Sequence, residues 1–306
     1  MPLHQQASIT IGVPNVEETC RYYAEFGLTR RGATFSTTDG GEQLRIVGSP
    51  TRRLIELCVG VDHPDDVVRV SDQLSGPGVA IEGDPSRVTA LEVHSGARVV
   101  VRVLPRLTQQ PVATEPTNGP GSTHRRNGRA PGILRRGPVR PRKLGHVVIA
   151  TPDAEASRRF FVDGVGFKVS DEVRGLASFI RCSTDHHNLL LQPAPVPFLH
   201  HTSWQVDDVD EVGRGAMTML EGHPERHVWG LGRHFIGSNF FWYLRDPAGN
   251  FSEYYSDMDS ITDDQLWSPG MWEPSLRALY SWGPDVPPSM LDPDDLADLM
   301  ASSHHR

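Results

Sequence analysis

Ile11–Leu28 (IGVPNVEETCRYYAEFGL) and Ile149–Phe167 (IATPDAEASRRFFVDGVGF) carry one pattern twice. Each runs from an apolar strand end through a proline turn into an acidic helix start, then an aromatic pair and a glycine. Such repetition marks duplicated supersecondary units. Working outward, strand-and-helix patterned stretches cover roughly 6–50 and 52–104, then roughly 143–196 and 198–257. In the last stretch, Asp246-Pro247-Ala248-Gly249-Asn250 is a hairpin turn between the strands Phe240–Arg245 and Phe251–Tyr255. The expected architecture is α+β, with four βαβββ modules paired into two domains, residues 1–105 and 143–306. A Pro/Gly/Arg-rich linker, 106–142, joins them.

Composition narrows the function classes. The chain has 306 residues, 38% of them hydrophobic and 22% charged, as in globular proteins with room for two cores. No stretch approaches the ~18 apolar residues that span a bilayer, and the first residues lack a signal-peptide layout, so a cytoplasmic location is expected. Cys20, Cys58 and Cys182 show no CxxC pairing and read as core residues. The net charge of −8 is uneven: Pro116–Pro152 holds eight basic residues and no acidic one. No aromatics interleave with those charges as base stacking requires, so the segment reads as a solvated linker or subunit contact and nucleic acid is not expected as a partner.

Eight of the fourteen histidines fall between His146 and His234. His146 opens the run His146-Val147-Val148-Ile149, His201 opens His201-Thr202-Ser203-Trp204-Gln205-Val206, and Glu253 follows the hairpin turn at Asp246–Asn250. Two imidazoles and a carboxylate form the facial ligand set of non-haem Fe(II) oxygenases, leaving positions open for substrate and O₂. Strand alternation places His201 with Ser203 and Gln205 on a polar face, and His200 with Thr202, Trp204 and Val206 on an apolar one. His223 and His227 read as surface loop residues, because Gly222 and Pro224 oppose a helix there.

Together with Asp185-His186-His187 and Gly232-Arg233-His234, these segments resemble the type I extradiol ring-cleavage dioxygenases of the vicinal oxygen chelate superfamily. The likeness covers most of residues 143–257; the first half matches only as a degenerate repeat. It implies the glyoxalase-like fold, with His146, His201 and Glu253 holding Fe(II), occasionally Mn(II). It also implies that His187 contacts O₂ and moves a proton, while His234 and Tyr243 hold the substrate hydroxyl. The implied reaction is extradiol cleavage of a catechol-type aromatic by O₂ to a hydroxymuconic semialdehyde-type product, in a homo-oligomer without membrane partners. The same triad in the same fold would also serve a 4-hydroxyphenylpyruvate-dioxygenase-like oxygenase, and a non-catalytic ligand-binding module is the reading from another class.

Two departures stand out: Asn188 replaces the usual Asp after the distal histidine, and bulky Phe235 and Ile236 follow His234. Sliding the first half onto the second sets Ser8 opposite His146, Ile55 or Glu56 opposite His201, and Val100 opposite Glu253. The N-terminal half is therefore expected to be structural. Trp267, Trp272 and Trp282 imply that the tail packs on the domain, Asp292-Pro293-Asp294-Asp295 opens a final helix, and His304 and His305 read as solvent-exposed.

Overall fold

The computed structural model describes residues 3–75, 79–113 and 116–303; His304 and His305 lie outside them. Four βαβββ modules follow one another. The first is β1 (Leu3–Val13), α1 (Val16–Glu25), β2 (Thr29–Arg31), β3 (Thr34–Thr37) and β4 (Gly41–Gly48). The second is β5 (Arg53–Val61), α2 (Pro64–Leu74), β6 (Ile81–Asp84), β7 (Arg87–Glu92) and β8 (Ala97–Val103). After a helical turn, α3 (Pro131–Leu134), the third module comprises β9 (Lys143–Thr151), α4 (Ala154–Arg159), β10 (Lys168–Val173), β11 (Ala177–Arg181) and β12 (Leu189–Pro193). The fourth comprises β13 (Phe198–Gln205), α5 (Val209–Leu220), β14 (His227–His234), β15 (Phe240–Arg245) and β16 (Phe251–Ser256). The tail adds β17 (Gly270–Trp272), α6 (Leu276–Leu279), β18 (Tyr280–Trp282), α7 (Pro288–Leu291) and α8 (Leu296–Ser303).

In each half, the first strands of its two modules pair antiparallel, β1 with β5 and β9 with β13, and fuse the modules into one sheet. The eight-stranded sheet runs β2-β3-β4-β1-β5-β8-β7-β6. The ten-stranded one runs β17-β10-β11-β12-β9-β13-β16-β15-β14-β18. The tail strands therefore cover both outer edges of the second sheet, which satisfies otherwise unpaired backbone groups. Every residue of β9 is buried, and its stretch Val147–Ala150 is apolar on both faces because both are covered. His227 begins a strand rather than lying in a loop; it is exposed and accepts from Trp242 Nε1 at 3.1 Å.

The halves are welded together. Tyr22 and Tyr23 of α1 reach Ser252 Oγ (2.5 Å) and Thr202 Oγ1 (3.3 Å) on the back of the ten-stranded sheet. Phe26 stacks on Tyr254 with centroids 3.8 Å apart, and the Tyr254 hydroxyl donates to the Phe26 carbonyl. One apolar core runs from Ile9 and Phe35 through Tyr23 to Trp204 and Val212. A Cβ on Gly164, after α4, would lie 2.5 Å from Leu74 Cδ2, so α2 approaches closely here and a larger residue would make the Leu74 tip shift. The basic linker is not simply solvated: Arg135 pairs with Asp208 (2.6 Å) and Glu211 (3.2 Å), and Arg142 with Asp39 (2.8 Å). Among the described residues no helix is long and apolar enough to cross a membrane.

Phe26→Ala removes the aromatic weld and should lower the unfolding free energy by about 3–5 kcal/mol. Urea denaturation checks this; a loss under about 1 kcal/mol would show that the α1 contact contributes little.

Candidate active site

Register decides which side chains meet. In the ten-stranded sheet Ser203 stands opposite His146 on one side and Glu253 on the other, and Tyr243 stands opposite Glu253. Paired residues share a face, so His146, Glu253, Tyr243 and, two residues before Ser203, His201 project together. The opposite face presents Thr202, Trp204, Ser252 and Tyr254 to α1. One alternation thus feeds both the N-terminal buttress and the site.

His146, His201 and Glu253 are buried, and one ligand atom from each lies within 4.8 Å of the others. His146 Nε2 is 3.2 Å from Glu253 Oε2 and 3.3 Å from His201 Nε2; His201 Nε2 is 3.8 Å from Oε2. The 3.2 Å approach lacks hydrogen-bond alignment, and buried Oε2 has no donor. A carboxylate oxygen so placed is costly unless something positive sits before it. Cis ligands at about 2.1 Å from a cation stand about 3 Å apart, so this triangle fits one face of an octahedral divalent metal. Glu253 Oε1 accepts from Asn239 Nδ2 at 3.2 Å. Burial alone would raise the Glu253 carboxyl, but its contacts with His146 and His234 outweigh that and hold it well below the usual range.

Hydrogen bonds fix the proton on each surrounding ring. His200 Nε2 lies 2.9 Å from the Met290 carbonyl, which only accepts, so His200 carries its proton there. Burial holds His200 down at about 4, so it is neutral at pH 7 and accepts at Nδ1. The donor is His201 Nδ1, 2.7 Å away, which leaves the His201 Nε2 lone pair aimed at the triangle. Strict alternation would turn His200 to the back face. A register shift between Leu199 and His201 brings it to the cavity side instead.

A second chain reaches His187. His186 Nε2 donates to Asp171 Oδ2 at 3.0 Å, and the two Nδ1 atoms of His186 and His187 are 3.1 Å apart. His187 lines the cavity with its ring 4.2 Å from that of His146, while His186 packs on Trp267. Burial, then the neighbouring His146, push His187 well below the usual histidine range. On the far side His234 Nδ1 donates to the Leu279 carbonyl at 2.7 Å, so Nε2 accepts from the Tyr243 hydroxyl at 2.9 Å. Burial, then Glu253, raise the Tyr243 hydroxyl well above its usual value.

Five of the six residues singled out in the sequence, His146, His187, His201, His234 and Tyr243, line one cavity of about 110 Å³, and Glu253 lies buried beside it within reach of His146 and His201. Asn188 is buried, accepts from Cys182 N and Ser183 Oγ, and donates to the Gly145 carbonyl beside His146, a donation that an Asp carboxylate could not make. Ile236 lines the cavity as a bulky wall; Phe235 instead packs on Trp272 outside. In the first half the matching row is Ser8, Cys58 and Val100, and Glu56 pairs with Arg98. Asp171, His200, Asn239 and the two tail carbonyls were not singled out in the sequence. Of these, only His200 carries a sequence signal, the doubled histidine at 200–201.

Residues 143–254 match the family model described as glyoxalase/bleomycin resistance protein/dioxygenase superfamily. Metapyrocatechase 2 of Cupriavidus necator is 34% identical over 94% of this chain and 92% of its own length. The chain belongs to the extradiol dioxygenases of this superfamily. An iron-dependent extradiol dioxygenase of Rhodococcus jostii is 30% identical over 40% of this chain and 46% of its own. The fold also matches the crystal structure of BphC, a halotolerant catechol dioxygenase, with a TM-score of 0.73 and 20% identity over 94% of this chain and 98% of that one.

Replacing His200 by Phe removes the acceptor that fixes the His201 tautomer. Fe(II) affinity should fall about 10–100-fold in a metal titration, with the fold retained; unchanged affinity would contradict the proton assignment.

Proposed function

We propose that this extradiol dioxygenase opens catechol-type rings with O₂ at a divalent metal held by His146, His201 and Glu253. The observation that carries the reading is the buried triangle of ligand atoms with an undonated Glu253 oxygen, flanked by His187 and the His234–Tyr243 pair. Fe(II) is the assigned metal and Mn(II) suits the same donors; when bound, the ion supplies adjacent positions for two vicinal oxygens and O₂ and passes electrons between them.

The chain's own groups handle binding and protons. His234, protonated at Nδ1 by its bond to Leu279, offers Nε2 to the proton of a catechol hydroxyl, and the Tyr243 hydroxyl is placed to donate to the resulting oxyanion. His187, whose Nδ1 is engaged with His186, keeps Nε2 free as a proton acceptor and donor on the other side of His146. Val148, Phe179, Leu190 and Ile236 keep the ring dry. The ring opens beside the diol, giving a hydroxymuconic semialdehyde-type product.

We assign catalysis to residues 143–306, a buttressing role to 1–105, and a strap role to 106–142 through Arg135 and Arg142. The three buried free thiols fit a cytoplasmic location, and exposed Leu266, Met271, Leu276 and Trp282 supply a surface for a homo-oligomer.

Anaerobic Fe(II) loading followed by O₂ and a catechol should produce the yellow ring-fission absorbance with one O₂ consumed per ring. Full iron loading without ring cleavage of any catechol would overturn the reading. His201→Ala should lose stoichiometric iron while keeping a native circular dichroism spectrum; retained iron would refute the ligand assignment.

A further inference from the structure

The tail supplies part of the cavity wall. Leu279, Val286, Met290 and Leu291 line it together with Val148, Phe179 and Leu190 of the strands. Resting on the ring-cleavage reading, we infer that the enzyme is restricted to single-ring catechols without an anionic substituent, and that Val286, Met290 and Leu291 set this limit.

Size is the first argument. An apolar cavity of about 150 Å³ holds one benzene. At about 110 Å³ this cavity is smaller than that, so even one ring fits only with its oxygens reaching out toward the triad. A second aryl ring would need roughly that volume again, and the wall that would have to yield is pinned to the catalytic groups. The Leu279 carbonyl holds His234 and the Met290 carbonyl holds His200. Beyond them, Arg52 of the N-terminal half grips Asp295 through Nε (2.7 Å) and Nη2 (2.8 Å), and Arg245 grips Asp294 (2.8 Å). Backing the tail away would release the rings whose protonation the chemistry uses.

Charge is the second argument. The described residues lining the cavity include no lysine or arginine. Arg52 lies close enough for its charge to disfavour protonation of His200, but its guanidinium is committed to Asp295 and the Leu199 carbonyl. A substrate carboxylate would be stripped of water against Val148, Phe179 and Leu190 with no cationic partner, a cost that disfavours it.

The test is kcat/KM of the iron-loaded full chain for catechol, 3-methylcatechol, 2,3-dihydroxybiphenyl and 3,4-dihydroxyphenylacetate. We expect 3-methylcatechol within about tenfold of catechol, and the biphenyl and the acid about 100-fold lower or worse. Val286→Ala and Met290→Ala, which keep the backbone carbonyls, should raise the biphenyl-to-catechol ratio about tenfold without helping the acid. Leu291→Arg, at an exposed rim position, should raise the acid-to-catechol ratio alone. Biphenyl or acid turned over as efficiently as catechol by the unmodified enzyme, or a biphenyl ratio unmoved by both alanine variants, would overturn this inference alone. No cleavage of any catechol would overturn the ring-cleavage reading and this inference with it.

Discussion

The pairing of Ser203 with His146 on one side and Glu253 on the other is the constraint on which the rest depends. Strand side chains alternate with a period of two, so a slip of one residue in β13 would send His201 to the helix side and Trp204 into the cavity. Both faces of the sheet resist that slip. On the back, α1 fits Tyr22 to Ser252 and Phe26 to Tyr254. On the front, three ligand atoms converge where like-charged or unpaired groups would be costly without a cation. The N-terminal half, whose own row is Ser8, Cys58 and Val100, thereby holds register for a site it does not enter.

A second constraint is proton inventory. Met290 and Leu279 offer carbonyls that only accept, and Asp171 offers a carboxylate. Each dictates where its histidine keeps its proton, and the information passes from His200 to His201, from His186 to His187 and from His234 to Tyr243. Burial keeps His187, His200 and His201 neutral by depressing their affinity for a second proton. The tail is thus as much a part of the site as the strands.

The module repeat and the hairpin before Glu253 are legible in the sequence because proline turns, acidic helix starts and alternation are local signals. His146, His201, His234, Tyr243 and Glu253 come together for the same reason: each sits at a strand position that alternation can place. His200 is misplaced by alternation because the register shift at Leu199–His201 breaks the period of two. Asp171 and His186 are fifteen residues apart and join only when β10 pairs with β11, beyond any local pattern. The basic linker looked solvated because its acidic partners, Asp39, Asp208 and Glu211, lie in both halves. The tail carbonyls carry no side-chain signal at all.

The central claim is that one metal sits at the convergence of His146, His201 and Glu253 and none in the matching row of the first half. Anomalous diffraction at the iron edge from a crystal of the Fe(II)-loaded protein measures this directly. A single peak within bonding distance of His146 Nε2, His201 Nε2 and Glu253 Oε2 is expected; a peak displaced from that triangle, or a second peak near Ser8, Cys58 and Val100, would contradict the account.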